Sequence, residues 1–582
     1  MYNILDYLGN HYLSLIYTLI FAWLIIYGLI PVIKLFRCGY NHPLPLPFFG
    51  TFLWIYFKGF QKCLMDWNHK YGQFYAVAQG QSLVLVISDP NYLKDILVKS
   101  FSNFSNRRIF PVRNKFLSKS IFSTTDEEWR LGRRLILPTF TSHKMKYNMF
   151  PLILSCASQM VGHLKDSING DLNLIHNNKN DEDKDTAVVD TKDIFGCYTM
   201  DVIASTAFGL DLDSHKENNH AFVRNAKKVF DFEITRPILA VIGLFPIIIP
   251  LINYFKISLI EDAPMQFFAD IVENTIERRK KFNIKRNDYL QLLINSHDIY
   301  KSNQSNSNGS LKENDYTTNI NGCKKDIHNI SDDMMTMNEE DSIETKKVEN
   351  QNILTTGMSK EEYISNALLF FIAGYESTAN ALSWTARTLA CHSEIQENLR
   401  QEIKRKISQK YRSFRPDLLN YDDIMSLKYM DQVIKEVLRL HPPITLFDRV
   451  ASEDYYLEDK LIKKGTVIEV PVYAMHRDEN IWPSPNEFDP DRFCLKDSTM
   501  EQQYSYMPFG FGPRNCIGLR FAMLEIKIGL TLILGSNIKF VLAPGDINSD
   551  LTPDNTKFKK NGINFPKNGI KIGIKYVEEN DS

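Results

Sequence analysis

The stretch "FGFGPRNCIG", Phe509 to Gly518, sets one cysteine among glycines and an arginine near the end of a 582-residue chain. Gly510 and Gly512 allow backbone conformations closed to other residues, so the loop can lie flat against a partner. The run after Cys516, "IGLRFAMLEIKIGLTLIL", has helical periodicity. Cys516 therefore falls at a helix N-terminus, where the dipole and free N–H groups favour a thiolate. Phe509 can shield the sulfur from water, and Arg514 is placed to meet an anionic group. A thiolate so held suits metal ligation better than nucleophilic attack, which wants a histidine base; none flanks the loop. A buried structural cysteine is the plain alternative.

A net charge of −1 with 44% hydrophobic residues describes a chain with a large core and no global attraction to nucleic acid. The eight cysteines (Cys38, Cys63, Cys156, Cys197, Cys323, Cys391, Cys494 and Cys516) are scattered without a CxxC. Such spacing speaks against a disulfide framework or a zinc site and for a reducing compartment.

Tyr12 to Ile33 carries no charge over 22 residues, enough for one membrane span. Lys34 and Arg37 follow it, which puts the bulk of the chain in the cytosol, and the basic n-region and small-residue cleavage site of a cleaved signal peptide are missing. Residues 1–37 are thus expected to be an anchor. Residues 38–50, with "PLPLP" at 43–47, are expected to be a stiff extended hinge, and 51–582 the catalytic domain. Two polar stretches, 169–190 and 296–356, interrupt it as solvated insertions. Elsewhere amphipathic helical runs such as 261–281 and 393–410 dominate, with short strand-like segments at 83–88 and 466–474, predicting one mainly α domain with small β-sheets.

The most informative helix begins at a Ser359–Glu362 capping box and runs to about Cys391, roughly 45 Å at 1.5 Å per residue. Between Tyr363 and Ala386 its one charged residue is Glu376. Seven Ser, Thr and Asn residues argue against lipid exposure, and an unpaired buried carboxylate argues against a plain core helix. A helix running through a reactive site fits best, with Gly374 permitting a close approach and Glu376 and Ser377 supplying a proton path.

The cysteine loop resembles the haem-binding loop of the cytochromes P-450, in which that cysteine is the axial haem ligand. "EVLR" (Glu436, Arg439) before "HPP" resembles the family's ExxR helix, and "FDPDRF" with Arg492 its PxRF segment. "AGYEST" (Ala373 to Thr378) resembles its oxygen-activation motif, and "WRLGR" (Trp129, Arg133) its WxxxR. All five occur in the family's order. The resemblance implies a cytochrome P-450 fold with haem b ligated by Cys516 and lined by Phe509, Gly510, Gly518 and Ala373. It implies that Trp129, Arg133, Arg107, Arg449 and Arg514 meet the haem propionates, that Glu436, Arg439 and Arg492 form a buried network behind the loop, and that Phe110, Phe122, Ile372, Ile444 and Thr445 line an apolar substrate pocket.

The family's reaction inserts one oxygen atom from O₂ into an apolar substrate, with Glu376, Ser377 and Thr378 as the catalytic segment. Where the family most often has Thr, this chain has Ser377, which keeps the hydroxyl and loses the methyl. "YTMDVIASTAFGLDLDS" and "HRDENIWPSPNEFDPDRF" look most like the microsomal animal enzymes that oxidise drugs and steroids. That likeness implies an endoplasmic reticulum location facing the cytosol, and the apolar stretch 237–255 is expected to touch lipid. No nucleotide-binding glycine fingerprint is present, so NADPH is expected to act through a partner flavoprotein reductase, with a b-type cytochrome as a further donor. Arg130, Arg134, Lys144 and Lys146 are candidates for the reductase face. The rival readings are a reductase-independent haem-thiolate isomerase or dehydratase and a non-catalytic haem sensor.

Overall fold

The structure is a computed structural model that describes residues 2–577 apart from 109–113, 171–185, 217–220, 231–240, 243–244, 246–247, 256–260, 287, 307–356, 495–499, 547–550, 552–555 and 560–562. The helices that position the site are α1 (Tyr2–Arg37), α2 (Asp126–Ile136), α3 (Phe150–Asn169), α4 (Thr191–Ile203), α5 (Asp262–Lys281), α6 (Tyr289–Asn306), α7 (Lys360–Cys391), α8 (Lys428–Leu440) and α9 (Leu519–Gly535). The strands are β1 (Phe74–Gln79), β2 (Ser82–Ile87), β3 (Ala187–Asp190), β4 (Phe447–Val450), β5 (Tyr455–Leu457), β6 (Lys460–Ile462), β7 (Val467–Val470), β8 (Ile538–Val541) and β9 (Lys571–Tyr576). They form a four-stranded sheet in the order β1-β2-β7-β4, a three-stranded sheet β3-β9-β8 and the hairpin β5-β6. This is the expected mainly α architecture with small sheets. The strand expected over 466–474 stops at Pro471, which cannot donate to a ladder, and a helical turn follows.

Helix α7 crosses the core. Its capping box is formed: Glu362 N donates to Ser359 Oγ at 3.3 Å and Ser359 N to Glu362 Oε2 at 2.7 Å. Two of the polar residues that argue against lipid are buried in protein and satisfied locally, Ser383 Oγ donating to Ala379 O and Thr385 Oγ1 to Ala381 O, both at 2.7 Å. A Cβ on Gly374 would sit 2.4 Å from Ile203 Cδ1. The close approach that this glycine permits is therefore that of α4, not of a ligand.

Three expected boundaries move. The hinge is not an extended spacer: Leu46 and Gly50 exchange backbone hydrogen bonds at 2.7 and 2.8 Å, and Thr51 N donates to Ala78 O. Gly50 has φ +58°, and a Cβ there would lie 2.4 Å from Ala78 O, so the turn is pressed onto β1. The first polar stretch ends in β3, paired with β9, and the second begins inside α6, where Ser296 and His297 are buried. The remainder of those stretches, 171–185 and 307–356, lies outside the described residues. Helix α1 joins the domain at its C-terminal end, where Leu35 is fully buried and Lys34 Nζ donates to Gln81 O at 2.7 Å.

On α9, Glu525 is fully buried and neither carboxylate oxygen has a hydrogen-bond partner. Burial pushes its pKa well above the ordinary 4.5. The folded state thus holds this proton more tightly than the unfolded chain, and its contribution to stability is fully present below about pH 4.5 and lost as pH rises towards the folded value. Glu525→Gln should remove up to about 1.4 kcal/mol of this loss per pH unit. Thermal melts from pH 5 to pH 8 should fall less steeply in the variant than in the parent.

Candidate active site

The cysteine loop is built by glycine geometry. Gly510 and Gly512 have φ +71° and +74°, and a Cβ on Gly512 would lie 2.1 Å from Leu97 O, so this position admits only glycine. Cys516 N donates to Phe509 O at 2.8 Å, closing the loop, and α9 starts three residues later. The cysteine is exposed, yet it lies deep in the fold, so its sulfur faces an internal space. Burial raises the thiol above its ordinary 9.0, while the Gly518 N–H, then Arg133 and Arg107, pull it back. Desolvation outweighs the helix N-terminus here, so a thiolate is favoured by a cation on the sulfur.

Behind the loop, Arg439 and Glu436, one turn apart on α8 and both fully buried, form a bidentate pair with two 2.7 Å bonds. Arg492 Nε adds an ion pair at 3.3 Å, too bent to be a hydrogen bond. Arg439 Nη1 then binds His476 O and Pro485 O. His476, absent from the expected site, completes the link: its Nδ1 donates to Arg439 O at 3.0 Å and its Nε2 accepts from Met507 N at 2.9 Å. That geometry needs a neutral ring, and burial beside Arg439 lowers its pKa to about 3. The sequence cue was only a histidine inside "MHRDEN", with no spacing to mark it.

Four guanidinium groups gather beside the loop. Arg514 spends Nη1 and Nη2 on Ser105 O and Thr124 O, both at 2.7 Å, and packs 4.6 Å over Trp129. Arg133 holds Asn515 through O and Oδ1. The Nε atoms of Arg107, Arg449 and Arg514 are buried without partners among the described residues. Burial, and for Arg449 and Arg514 then mutual repulsion, lowers the pKa of all four, to about 10 for Arg133 and about 9 for Arg514. The neighbouring carboxylate, Asp448, is already taken by Arg108, which also pairs with Glu469.

On α7, Ala373 is exposed in the middle of an otherwise buried helix, marking a face on an internal space. Ser377, one turn on, shares that face and donates to Ala373 O at 2.6 Å. Glu376 pairs instead with Lys192 of α4 and lines a cavity of ≈ 450 Å³ shared with Lys227, Lys559, Phe565 and Gly569.

The chain matches the family description Cytochrome P450 over residues 41–563. It is 33% identical to cytochrome P450 3A13 of Mus musculus over 541 residues, 92% of this chain and 91% of that one. It is 35% identical to cytochrome P450 3A9 of Rattus norvegicus over 501 residues, 86% and 85% of the two, and 33% identical to cytochrome P450 3A6 of Oryctolagus cuniculus over 509 residues, 87% and 86%. The chain belongs to the cytochrome P450 family. It is a haem-thiolate monooxygenase, and haem is its cofactor.

The residues present fit that group. Arg107, Arg449 and Arg514 each keep a buried Nε without a partner among the described residues; guanidinium groups so placed call for anionic acceptors, and the two propionates of a haem would supply them. The other expected site residues differ in burial. Thr445 is fully buried, and its O accepts from Tyr473 N at 3.0 Å. Thr378 is buried in the core, turned away from the Ala373–Ser377 face. Ile444 and Phe122 are exposed and Ile372 is half-buried; Phe110 lies outside the described residues. On the expected basic face, Arg130 pairs with Glu127 and Lys146 with Asp422, so two of its four charges are neutralised.

Acid should loosen the loop through His476. Its pKa falls from 6.5 to about 3 on folding, so the stability it contributes is present above pH 6.5 and lost as pH falls towards 3, at up to about 1.4 kcal/mol per unit. His476→Phe should be less stable at pH 7 and show a shallower acid limb in denaturant titrations. Glu436→Gln, which strands two arginines, should cost about 3–5 kcal/mol and lower the denaturation midpoint.

Proposed function

We propose that the chain oxidises a lipophilic substrate, of the size of a steroid, fatty acid or drug, with electrons from an NADPH-dependent flavoprotein reductase. A b-type cytochrome is a second donor in this reading. The observation that carries it is the exposed Cys516 deep in the fold, near three guanidinium groups, of Arg107, Arg449 and Arg514, whose buried Nε atoms have no partner among the described residues. When bound, haem supplies the activation of O₂, favoured by the electron density of a thiolate ligand.

In this reading Cys516 is that ligand, kept from water by Phe509. Arg107 and Arg449 offer the propionates the donors that Arg133 and Arg514 have spent on backbone. Ala373 and Gly510 border the haem faces. Ser377 would pass on its hydroxyl proton on leaving its bond to Ala373 O and regain one from Glu376, which, once parted from Lys192, first takes a proton from water in the adjoining cavity. Ile372, Ile444 and Phe122 line the apolar substrate space.

Membrane attachment rests on the segment Tyr17–Arg37, mean hydropathy 2.3. Lys34 and Arg37 after it orient the domain to the cytosolic side of the endoplasmic reticulum. Leu251, Tyr254 and Phe255 are exposed, and Phe245 stacks on Tyr27 of α1 at 5.6 Å, so the apolar stretch near 245–255 lies beside the anchor and extends its lipid-facing surface.

The test of the ligand is the reduced protein's difference spectrum with carbon monoxide. A strongly red-shifted band is expected in the parent and not in Cys516→Ser; the same band in both would remove Cys516 from the role. Arg449→Leu should retain less haem per chain than the parent, with Arg449→Lys between them. With reductase and a turned-over substrate, Ser377→Ala should consume more NADPH per product formed. Equal coupling in the two proteins would exclude the hydroxyl from proton delivery, and turnover without NADPH would mark an isomerase instead.

A further inference from the structure

Away from the haem site, His163 of α3 meets Asp213 and His215 of the turn that leaves α4. One ligand atom from each lies within 4.8 Å of the other two. The two imidazoles stack, centroids 4.9 Å apart and planes 14° apart, and both residues are more than nine-tenths buried. Two stacked histidines at one carboxylate need a reason, because a lone hydrogen bond to Asp213 would occupy only one of them.

The polar atoms are poised for a cation. His215 Nε2 lies 3.1 Å from Ile194 O, so Nε2 carries the proton and Nδ1 keeps its lone pair. Among the described residues that Nδ1 is buried with no hydrogen-bond partner, and so is Nδ1 of His163. A backbone carbonyl fixing one ring nitrogen while the other stays free is the usual support of a metal-ligating histidine. His163 Nε2 faces Asp213 Oδ1 at 3.0 Å. Asp201 of α4 stands behind, Oδ2 3.9 Å from His215 Nδ1, its carboxylate oriented by Ser214 N. Lys216 holds the far oxygen of Asp213 from an exposed position and can swing away.

We propose that His163, Asp213 and His215 bind one zinc ion, with Asp201 or water in the fourth position. Two imidazoles and a carboxylate match the donor preference and four-coordination of zinc, whereas calcium and magnesium would want oxygen donors alone. The cysteine spacing that speaks against zinc in this chain is silent on such a site. The ion would clamp the turn at 209–216 onto α3 and α4, a structural role remote from the cysteine loop in sequence.

The untagged, haem-loaded full-length protein, stripped with a chelator and dialysed against zinc chloride, should retain one zinc per chain. Cobalt(II) in its place should give the intense visible bands of a four-coordinate ion. His215→Gln should lose the stoichiometric zinc while keeping the parent's carbon monoxide difference band; His163→Gln serves if His215→Gln does not load haem. No saturable zinc in the parent, a weak six-coordinate cobalt spectrum, or full zinc content in a folded histidine variant would each overturn the assignment. Because the carbon monoxide band reports the haem site separately, failure here leaves the monooxygenase reading untouched.

Discussion

A carboxylate with no exposed surface, Glu436, receives two guanidinium groups and a backbone N–H, and the cysteine loop is hung from the far side of that network. Burying such charges is costly unless every donor and acceptor is matched. Here they nearly are: Arg439 reaches three backbone carbonyls beyond its carboxylate, and Arg492 reaches two. The saturation makes the network rigid rather than strongly stabilising. His476 carries that rigidity on to Met507, two residues before Phe509, so the loop's position is set by groups that take no part in chemistry.

The second buried charge cluster is the opposite case. Arg107, Arg514 and Arg133 each repel the charge on Arg449, and Arg107, Arg449 and Arg514 keep an Nε unspent among the described residues. A closed network of charges is scaffold; an open one is half of a binding site. The difference also ties folding to the cofactor, since a ligand that neutralises these cations binds the native state alone and stabilises it by mass action. The thiol obeys the same rule, because burial keeps its proton on until a cation is present.

What was legible in the sequence was local. The capping box of α7, the glycines around Cys516 and the Glu436–Arg439 pair three residues apart all follow from spacing along one element. What was not legible came from elements far apart in the chain. His476 binds Met507 across 31 residues, Lys192 reaches Glu376 across 184, and Arg108 reaches Glu469 across 361. Gly374 illustrates the limit well: its need for a missing side chain was evident, but the neighbour that demanded it, Ile203, was not. Polar composition likewise marked the two insertions and misplaced their edges, because β3 and the end of α6 are stabilised by tertiary pairing rather than by their own sequence.

The acid–alcohol pair on α7 is engaged at rest. Ser377 donates to its own helix, and Glu376 is held by Lys192, whose ammonium is itself disfavoured by burial and by Lys559. Parting that pair within a dry core would strand two charges. The pair lies beside a cavity of ≈ 450 Å³, large enough for water to replace each partner. The cavity therefore lowers the cost of freeing Glu376. In the proposed role, proton supply depends less on the identity of the acid than on how readily water enters between α4 and α7, and that is decided by the packing of residues that the motif itself does not contain.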